Sequence, residues 1–297
     1  MKSEILNPKF ILRSSTATEN GSETISENPK RIINEALRED LGSGDITTNV
    51  IVPENKTVKA ILLAKEDGII CGLEIAKTVF YELDKSISFI PTIKDGDQVK
   101  KGKVVAEIEG KARGILTGER TALNFLQHLS GIATLTSEFV KKSGKAKVLD
   151  TRKTTPGLRA IEKFAVKMGG GTNHRMGLYD AILIKDNHIA IAGGIDKAIW
   201  LVRKDNPKIM IEIETKTLDE VKKAIELKVQ RILLDNMNIK MLKEAVKLCK
   251  KAKIATEASG GVNLSTISAI AKTGVDFISI GALTHSAKAL DISLDIV

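Results

Sequence analysis

Between positions 150 and 285 the chain places cations, carboxylates and glycine turns at the ends of short apolar runs. Arg152-Lys153, His174-Arg175 and Lys185 supply cations from three separate segments. Arginine forks grip carboxylates and phosphates at two points, so this set predicts an anion pocket. Arg152 follows Val148-Leu149, and Lys185 follows Ala181-Ile182-Leu183-Ile184. Those apolar runs draw both residues toward an interior; a solvated basic surface is the competing reading. Arg159 and Lys163 divide evenly between the two.

Glu212 and Glu214 stand two apart on one predicted strand, so both side chains face the same way. Paired buried carboxylates repel and are costly to desolvate. They need cations such as Lys153 and Lys185, or a metal. With Asp235 at the end of the next strand they could hold magnesium, ribose hydroxyls or both. An internal salt-bridge network is the plain alternative. Ser259-Gly260-Gly261 and Gly281 follow two late strands, where backbone N–H groups of glycine loops cradle phosphate. His285 lies just beyond the second loop and could touch the same anion. Gly169-Gly170-Gly171 reads as a turn that lets the chain pass close to a ligand. His174, His188 and His285 lack zinc-ligand spacing. His188 suits a helix cap, and His128 a satisfied structural role.

The elements that must position these residues are legible from periodicity. Pro29 to Glu39 is predicted helical, with Ile32, Ile33, Ala36 and Leu37 on one face. Short strands follow at Val58 to Leu63, Ser86 to Pro91 and Val104 to Ile108, with a turn at Asp95-Gly96-Asp97 that resembles the turn of lipoyl and biotinyl carriers. Arg120 to Lys141 reads as a long helix in which Gly131 permits close packing. Beyond residue 145 apolar runs recur, each ending in a polar residue: Asp150, Lys185, Glu212, Asp235, Thr256 and Gly281. Helical patterns lie between them, as at Leu218 to Leu227 and Met241 to Lys250. This alternation predicts a parallel α/β sheet. The spacing suits a barrel, with one shared site where the strands end.

Composition excludes several classes. The 297 residues are 42% hydrophobic and 28% charged, ordinary for a globular protein. No apolar stretch approaches the roughly 18 residues of a membrane span. The first thirty residues lack the apolar core and cleavage site of a secretory signal. Two lone cysteines, Cys71 and Cys249, give no disulfide framework and suit core positions; a cytoplasmic location is expected. The net charge of +9 is concentrated, with eleven Lys or Arg against three acidic residues in 141–185. Aromatic residues are only 3%, which disfavours stacking on single-stranded nucleic acid. A focused anion site therefore fits better than a nucleic-acid face. Residues 1–28 read as a loosely ordered extension with a short apolar anchor at Phe10, Ile11 and Leu12.

Several motifs together resemble quinolinate phosphoribosyltransferase, also called carboxylating nicotinate-nucleotide pyrophosphorylase. They are Glu39-Asp40-Leu41-Gly42-Ser43-Gly44-Asp45-Ile46-Thr47-Thr48, Glu119-Arg120-Thr121-Ala122-Leu123-Asn124, the run from Asp150 to Arg159, the run from Gly169 to Leu178, Ile184-Lys185-Asp186-Asn187-His188, and Glu257-Ala258-Ser259-Gly260-Gly261. They run in order from about residue 30 to the C-terminus. The resemblance implies an α/β fold: an N-terminal α/β sandwich over 29–128 and 283–297, and an incomplete TIM-like (β/α) barrel over 129–282.

It also implies a reaction, in which phosphoribosyl pyrophosphate and quinolinate give nicotinate mononucleotide, pyrophosphate and carbon dioxide with magnesium. By analogy Arg120, Thr151, Arg152, His174, Arg175 and Lys185 bind quinolinate. Lys153 serves the departing pyrophosphate, while Ser259, Gly260, Gly261, Gly281 and His285 hold phosphate. Glu214 and Asp235 face the ribose and the metal and, with Lys153, carry the chemistry. The family works as a dimer or larger assembly in which the Arg120 position reaches the neighbouring site. The alternatives are a divergent paralogous phosphoribosyltransferase and a non-catalytic barrel that binds a phosphorylated ligand. No role for a membrane or nucleic acid is expected.

Overall fold

The structure is a computed structural model that describes residues 28–297. The predicted N-terminal extension, with its anchor at Phe10 to Leu12, lies outside the described residues except for Asn28. Helix α1 (Asn28–Leu41) buries Ile32, Ile33 and Leu37, the face that its periodicity predicts. Helix α2 (Ile46–Ile51) starts where the Asp45 carboxylate accepts the Thr48 N–H at 2.9 Å. That bond is an N-cap; the Thr48 hydroxyl and then this backbone N–H hold the Asp45 pKa below the usual carboxylate value.

Strand β1 (Thr57–Ala64) leads through β2 (Gly68–Ile69) to helix α3 (Leu73–Leu83). Strands β3 (Ser88–Pro91), β4 (Gln98–Val99) and β5 (Val104–Lys111) follow. Strands β1, β5 and β3 form an antiparallel sheet. Asp95, at the predicted turn, accepts the N–H groups of Gly72 and Leu73 at 2.9 and 3.1 Å and so caps α3 from a distance.

Helix α4 (Ala112–Lys142) begins eight residues before the predicted start. Gly114 and Gly118 make that first stretch a poor helix by propensity. Packing decides otherwise: a Cβ at Gly114 would meet Ile87 at 2.9 Å, and one at Gly118 would meet Leu83 at 2.9 Å, so the absent side chains let α4 seat on the first layer. Gly131 does the same farther along, where a side chain would collide with the Lys288 carbonyl.

The second half alternates strand and helix. Strands β6 (Lys147–Leu149), β7 (Ile182–Ile184), β8 (Ile211–Thr215), β9 (Arg231–Asp235), β10 (Ala255–Ser259) and β11 (Phe277–Ser279) form one parallel sheet in the order β6-β11-β10-β9-β8-β7. Its helices are α5 (Arg159–Met168), α6 (Asp186–Ala192), α7 (Ile195–Asp205), α8 (Leu218–Glu226), α9 (Ile239–Ala252), α10 (Ile267–Ala271) and the short α11 (Ala282–His285). A single bridge from Leu149 to Thr172 extends the β6 edge, and the sheet is an incomplete barrel. Strand β12 (Ile292–Ile296) then returns to pair with β1 in the first sheet.

Two strands sit later than their apolar runs suggest. Ile209 and Met210 are exposed, and β8 begins at Ile211, which pairs with Ile182. Likewise β10 begins at Ala255, so Thr256 lies at the opposite end from the site expected for it. It is buried there, and its N–H and hydroxyl both donate to Asp276.

Candidate active site

Parallel strands deliver their last residues to one end of a barrel. A cavity of about 810 Å³ opens there. Thr151, Arg152 and Lys153 reach it from beyond β6, and His174 and Arg175 from the segment beside that strand. Lys185 follows β7, Glu214 stands near the end of β8, and Asp235 ends β9. Ser259 with Gly260 and Gly261 follows β10; Gly281 and His285 follow β11. Every residue that the family resemblance assigns to the site lines this cavity except Arg120.

Glu214 and Asp235 face each other electrostatically across adjacent strands. Burial, and then the Asp235 charge, push the Glu214 pKa above the ordinary glutamate value. Lys185 Nζ, 3.9 Å from Glu214, relieves this only in part. Opposite them, Arg175 is held by one bond from Nη1 to the Ala181 carbonyl at 3.2 Å, and its Nε is buried with no partner. Burial and the neighbouring Arg152 charge lower its pKa. An N–H of a cation that is buried without an acceptor is costly. With Arg152, Lys153 and Lys185 lining the same cavity, this wall is cationic. Gly260, at φ +93°, is a position where a side chain would collide with Asn236, and Gly281 leaves room for the Lys153 stem. Backbone N–H groups here stay open to close approach by a ligand. The Lys153 carbonyl accepts the Thr284 hydroxyl at 2.6 Å, tying the two loops together.

Below this rim lies a polar floor. His174 Nε2 stands 3.2 Å from Glu212 and 3.5 Å from Glu257, both almost fully buried. Burial by itself would lower the His174 pKa, but the hydrogen bonds and charges of the two glutamates outweigh it and raise it to about 9. His174 Nδ1 accepts the Arg175 N–H at 2.8 Å. While Nδ1 accepts, the ring proton lies on Nε2, facing the glutamates. A second proton, which the glutamates favour, would break the contact to Arg175. The two glutamates on one face of β8 thus split into two roles by depth: Glu212 joins an internal ion-pair network, and Glu214 opens to the cavity.

Other predicted residues are placed differently. Lys163 is 1% exposed and pairs with Asp150 behind the site. Arg159 clasps Thr154 and the Met176 carbonyl and does not line the cavity. The run Gly169-Gly170-Gly171 serves packing rather than a ligand, because side chains there would strike Ala133, Thr136 and Val166. His128 bonds buried Glu162 at 2.9 Å, and His188 Nδ1 accepts the Lys185 N–H, a structural contact and a cap. The positive excess of 141–185 is divided. Lys142, Lys145 and Lys147 line a separate cleft at the other end of the barrel, with Lys250, Lys253 and Lys272. Sequence reasoning assigned no role to Asp150, Arg231, Asn236 or Glu257. For Glu257 the available signal was its place two residues before Ser259, on the same inward face of β10.

Arg120 is exposed on α4, away from the cavity of its own chain. It follows Arg113 and Thr117 at helical spacing. Those residues bond the α2 region, with Arg113 donating to the Val52 and Asn49 carbonyls and Thr117 to Asp45. Helix α2 carries three exposed apolar side chains, Ile46, Val50 and Ile51.

Comparison with known proteins is consistent across the chain. The family model described as quinolinate phosphoribosyl transferase, N-terminal domain, matches residues 45–130, and that of the C-terminal domain matches 132–295. The chain is 44% identical to quinolinate phosphoribosyltransferase (decarboxylating) 1b of Nicotiana tabacum, covering 98% of this chain and 91% of that protein. It is 46% identical to the probable nicotinate-nucleotide pyrophosphorylase (carboxylating) of Bacillus subtilis, covering 90% and 93%. The solved nicotinate-nucleotide pyrophosphorylase of Francisella tularensis superposes with a TM-score of 0.88 at 44% identity, over 91% of this chain and 96% of that one.

Proposed function

The chain belongs to the quinolinate phosphoribosyltransferase family, and from that premise we propose that it carries out the decarboxylating transfer named for its relatives. The ring nitrogen of quinolinate attacks the anomeric carbon of phosphoribosyl pyrophosphate, and pyrophosphate departs. The positive ring nitrogen then accepts the electron pair left when the neighbouring carboxylate leaves as carbon dioxide. A solvent proton completes nicotinate mononucleotide, the pyridine nucleotide that feeds NAD biosynthesis. The single observation that carries this reading is the cavity wall, where Arg152, Lys153, Arg175 and Lys185 gather from three segments. Two carboxylates, a phosphate and a pyrophosphate give such a wall its counter-charges.

In this reading Thr151, Arg152, His174, Arg175 and Lys185 orient quinolinate. Ser259, Gly260, Gly261, Gly281 and His285 seat the 5-phosphate of the cosubstrate, and Lys153 meets the departing pyrophosphate. Glu214 and Asp235 lie against the ribose and favour positive charge at its anomeric carbon. Catalysis is positioning and charge stabilisation, with no covalent nucleophile. Magnesium fits the same pair, because two repelling carboxylates, with Lys185 at 3.9 Å from Glu214 and the Asn236 amide on Asp235, are hard oxygen donors with charge to spare. Two protein ligands suit an ion that keeps waters and bridges substrate phosphates; bound there, it would neutralise the pyrophosphate.

A product assay with purified protein, magnesium and phosphoribosyl pyrophosphate tests the reading. Nicotinate mononucleotide and carbon dioxide are expected from quinolinate and no product from nicotinate. Product from nicotinate alone would keep the fold and overturn the substrate. No product from either, with cosubstrate still bound, would favour the divergent paralogue or the binding protein.

We further place the working unit at a homodimer or larger assembly. Exposed Arg120 and the apolar face of α2 beside it support a second copy covering this surface. Arg120→Ala is expected to be nearly inactive alone and to regain activity in mixed oligomers with a Lys153→Ala partner, which is itself site-dead but carries Arg120. Absence of any rescue would place Arg120 within its own chain's function. No helix among the described residues is long and apolar enough to cross a membrane. The two buried free thiols support the cytoplasmic location.

A further inference from the structure

Four ionisable side chains meet on the floor of the barrel, and three of them, Glu212, Glu257 and Arg231, have no place in the substrate contacts given above, while His174 joins the two sets. Glu212 and Glu257 point inward from β8 and β10, with β9 between them contributing Arg231. Arg231 Nη1 lies 3.2 Å from Glu257 and 3.8 Å from Glu212, and its guanidinium stacks 4.2 Å above the Phe277 ring. His174 closes the group from above through Nε2. Glu212 Oε1, Glu257 Oε1 and Arg231 Nε are buried without partners. Desolvating such a layer is expensive, and well-packed apolar residues of similar volume commonly replace one at no loss of stability. Stability alone therefore gives the barrel little reason to hold it.

What the layer does is visible in its last link. The glutamates fix His174 Nε2 and with it the plane of the ring, whose Nδ1 lies 2.8 Å from the backbone nitrogen of Arg175. The histidine is thus a strut between the floor and Arg175 on the cationic wall of the cavity. We propose that Glu212, Glu257 and Arg231 are positioning residues that hold His174, and through it Arg175, in the orientation that receives the acidic aromatic substrate. Arg231 keeps the two carboxylates from carrying an uncompensated double charge. The inference rests on the substrate reading given above.

The test uses Glu212→Gln and Glu257→Gln, which keep shape and remove charge. Each is expected to raise the quinolinate KM about tenfold, the cost of weakening one buried hydrogen-bonded link. The phosphoribosyl pyrophosphate KM and the melting temperature should stay near wild type, within about twofold and a few degrees. Arg231→Lys, which keeps the charge and loses the fork, should move quinolinate KM the same way and serves if a glutamine variant does not fold. An unchanged quinolinate KM in folded variants, or equal loss of both substrates together with a collapsed melting temperature, would overturn the proposal. A second readout is independent of turnover. The chain has four histidines, so nitrogen-15 labelling resolves the His174 ring. Its Nε2 proton, bonded to a carboxylate, should move upfield in both glutamine variants. An unmoved resonance sinks the strut even if the wild-type enzyme proves to act on another acid, and a wild type inactive on quinolinate with a moved resonance sinks the substrate reading alone.

Discussion

Replacing Lys153 or Glu214 by alanine is expected to lower turnover on the order of 100-fold or more while leaving the fold intact. Both side chains project into the cavity and carry little of the packing. Lys153 is exposed, and its loop is held by the Thr284 bond to its backbone carbonyl, which a side-chain truncation leaves alone. Glu214 has only the 3.9 Å contact to Lys185, and burial and Asp235 both disfavour its charge. Deleting that carboxylate relieves repulsion, so the melting temperature should hold or rise. What is lost is charge opposite the departing pyrophosphate and the developing positive sugar, present to full effect only in the transition state. Steady-state kinetics beside a thermal melt decides the matter. Near-normal turnover in both variants would remove these residues from the chemistry.

Lys163→Met is expected to have the largest effect on stability, about 3–5 kcal/mol, the usual cost of breaking a buried ion pair from one side. The Lys163 and Asp150 side chains are 1% and 0% exposed. Asp150 also accepts the His174 N–H at 2.8 Å and the Asn173 amide at 2.6 Å, while Lys163 donates to the His174 carbonyl at 3.0 Å. The pair therefore pins the segment that carries His174 and Arg175. Burial already pushes the Asp150 pKa up, and Lys163 is the largest influence pulling it back. Without the lysine the carboxylate pKa rises further. A carboxylate raised above its unfolded value favours the fold while protonated and loses that contribution as pH rises through the folded pKa. The variant should therefore be least damaged in acid and fall away toward neutral pH. Denaturant unfolding across pH tests this, and Lys163→Met combined with Asp150→Asn should recover much of the loss. A pH-independent deficit, or no recovery in the double variant, would show that lost packing rather than a stranded charge is responsible.

Much of this protein is legible in one dimension. Alternating apolar strands and amphipathic helices specify a parallel α/β layer, because a strand buried on both faces must be apolar throughout. The residues at the strand ends then converge, since parallel strands deliver their C-termini to one side. Hence Lys185, Asp235, Ser259 and Gly281 could be placed near a common site from sequence, and the glutamate spacing put Glu212 and Glu214 on one face. What needed the tertiary structure was depth and partnership. Thr256 and Glu257 are adjacent in sequence, yet one bonds Asp276 at the base of the barrel and the other reaches the cavity floor. Lys153 and Lys163 are alike as residues, but one enters the cavity and the other neutralises Asp150. The lysines around 145 look continuous with the cationic site in the chain, but they lie at the opposite end of β6, because a strand separates its two ends in space. Helix α4 begins at Ala112 against its own glycines because packing against Ile87 and Leu83 outweighs propensity. Sequence by itself determined the layers and the chemistry available to the site, since periodicity and residue type are local properties. Only the tertiary structure decided which charges meet one another and which are left for a ligand, because that depends on distances between strands far apart in the chain.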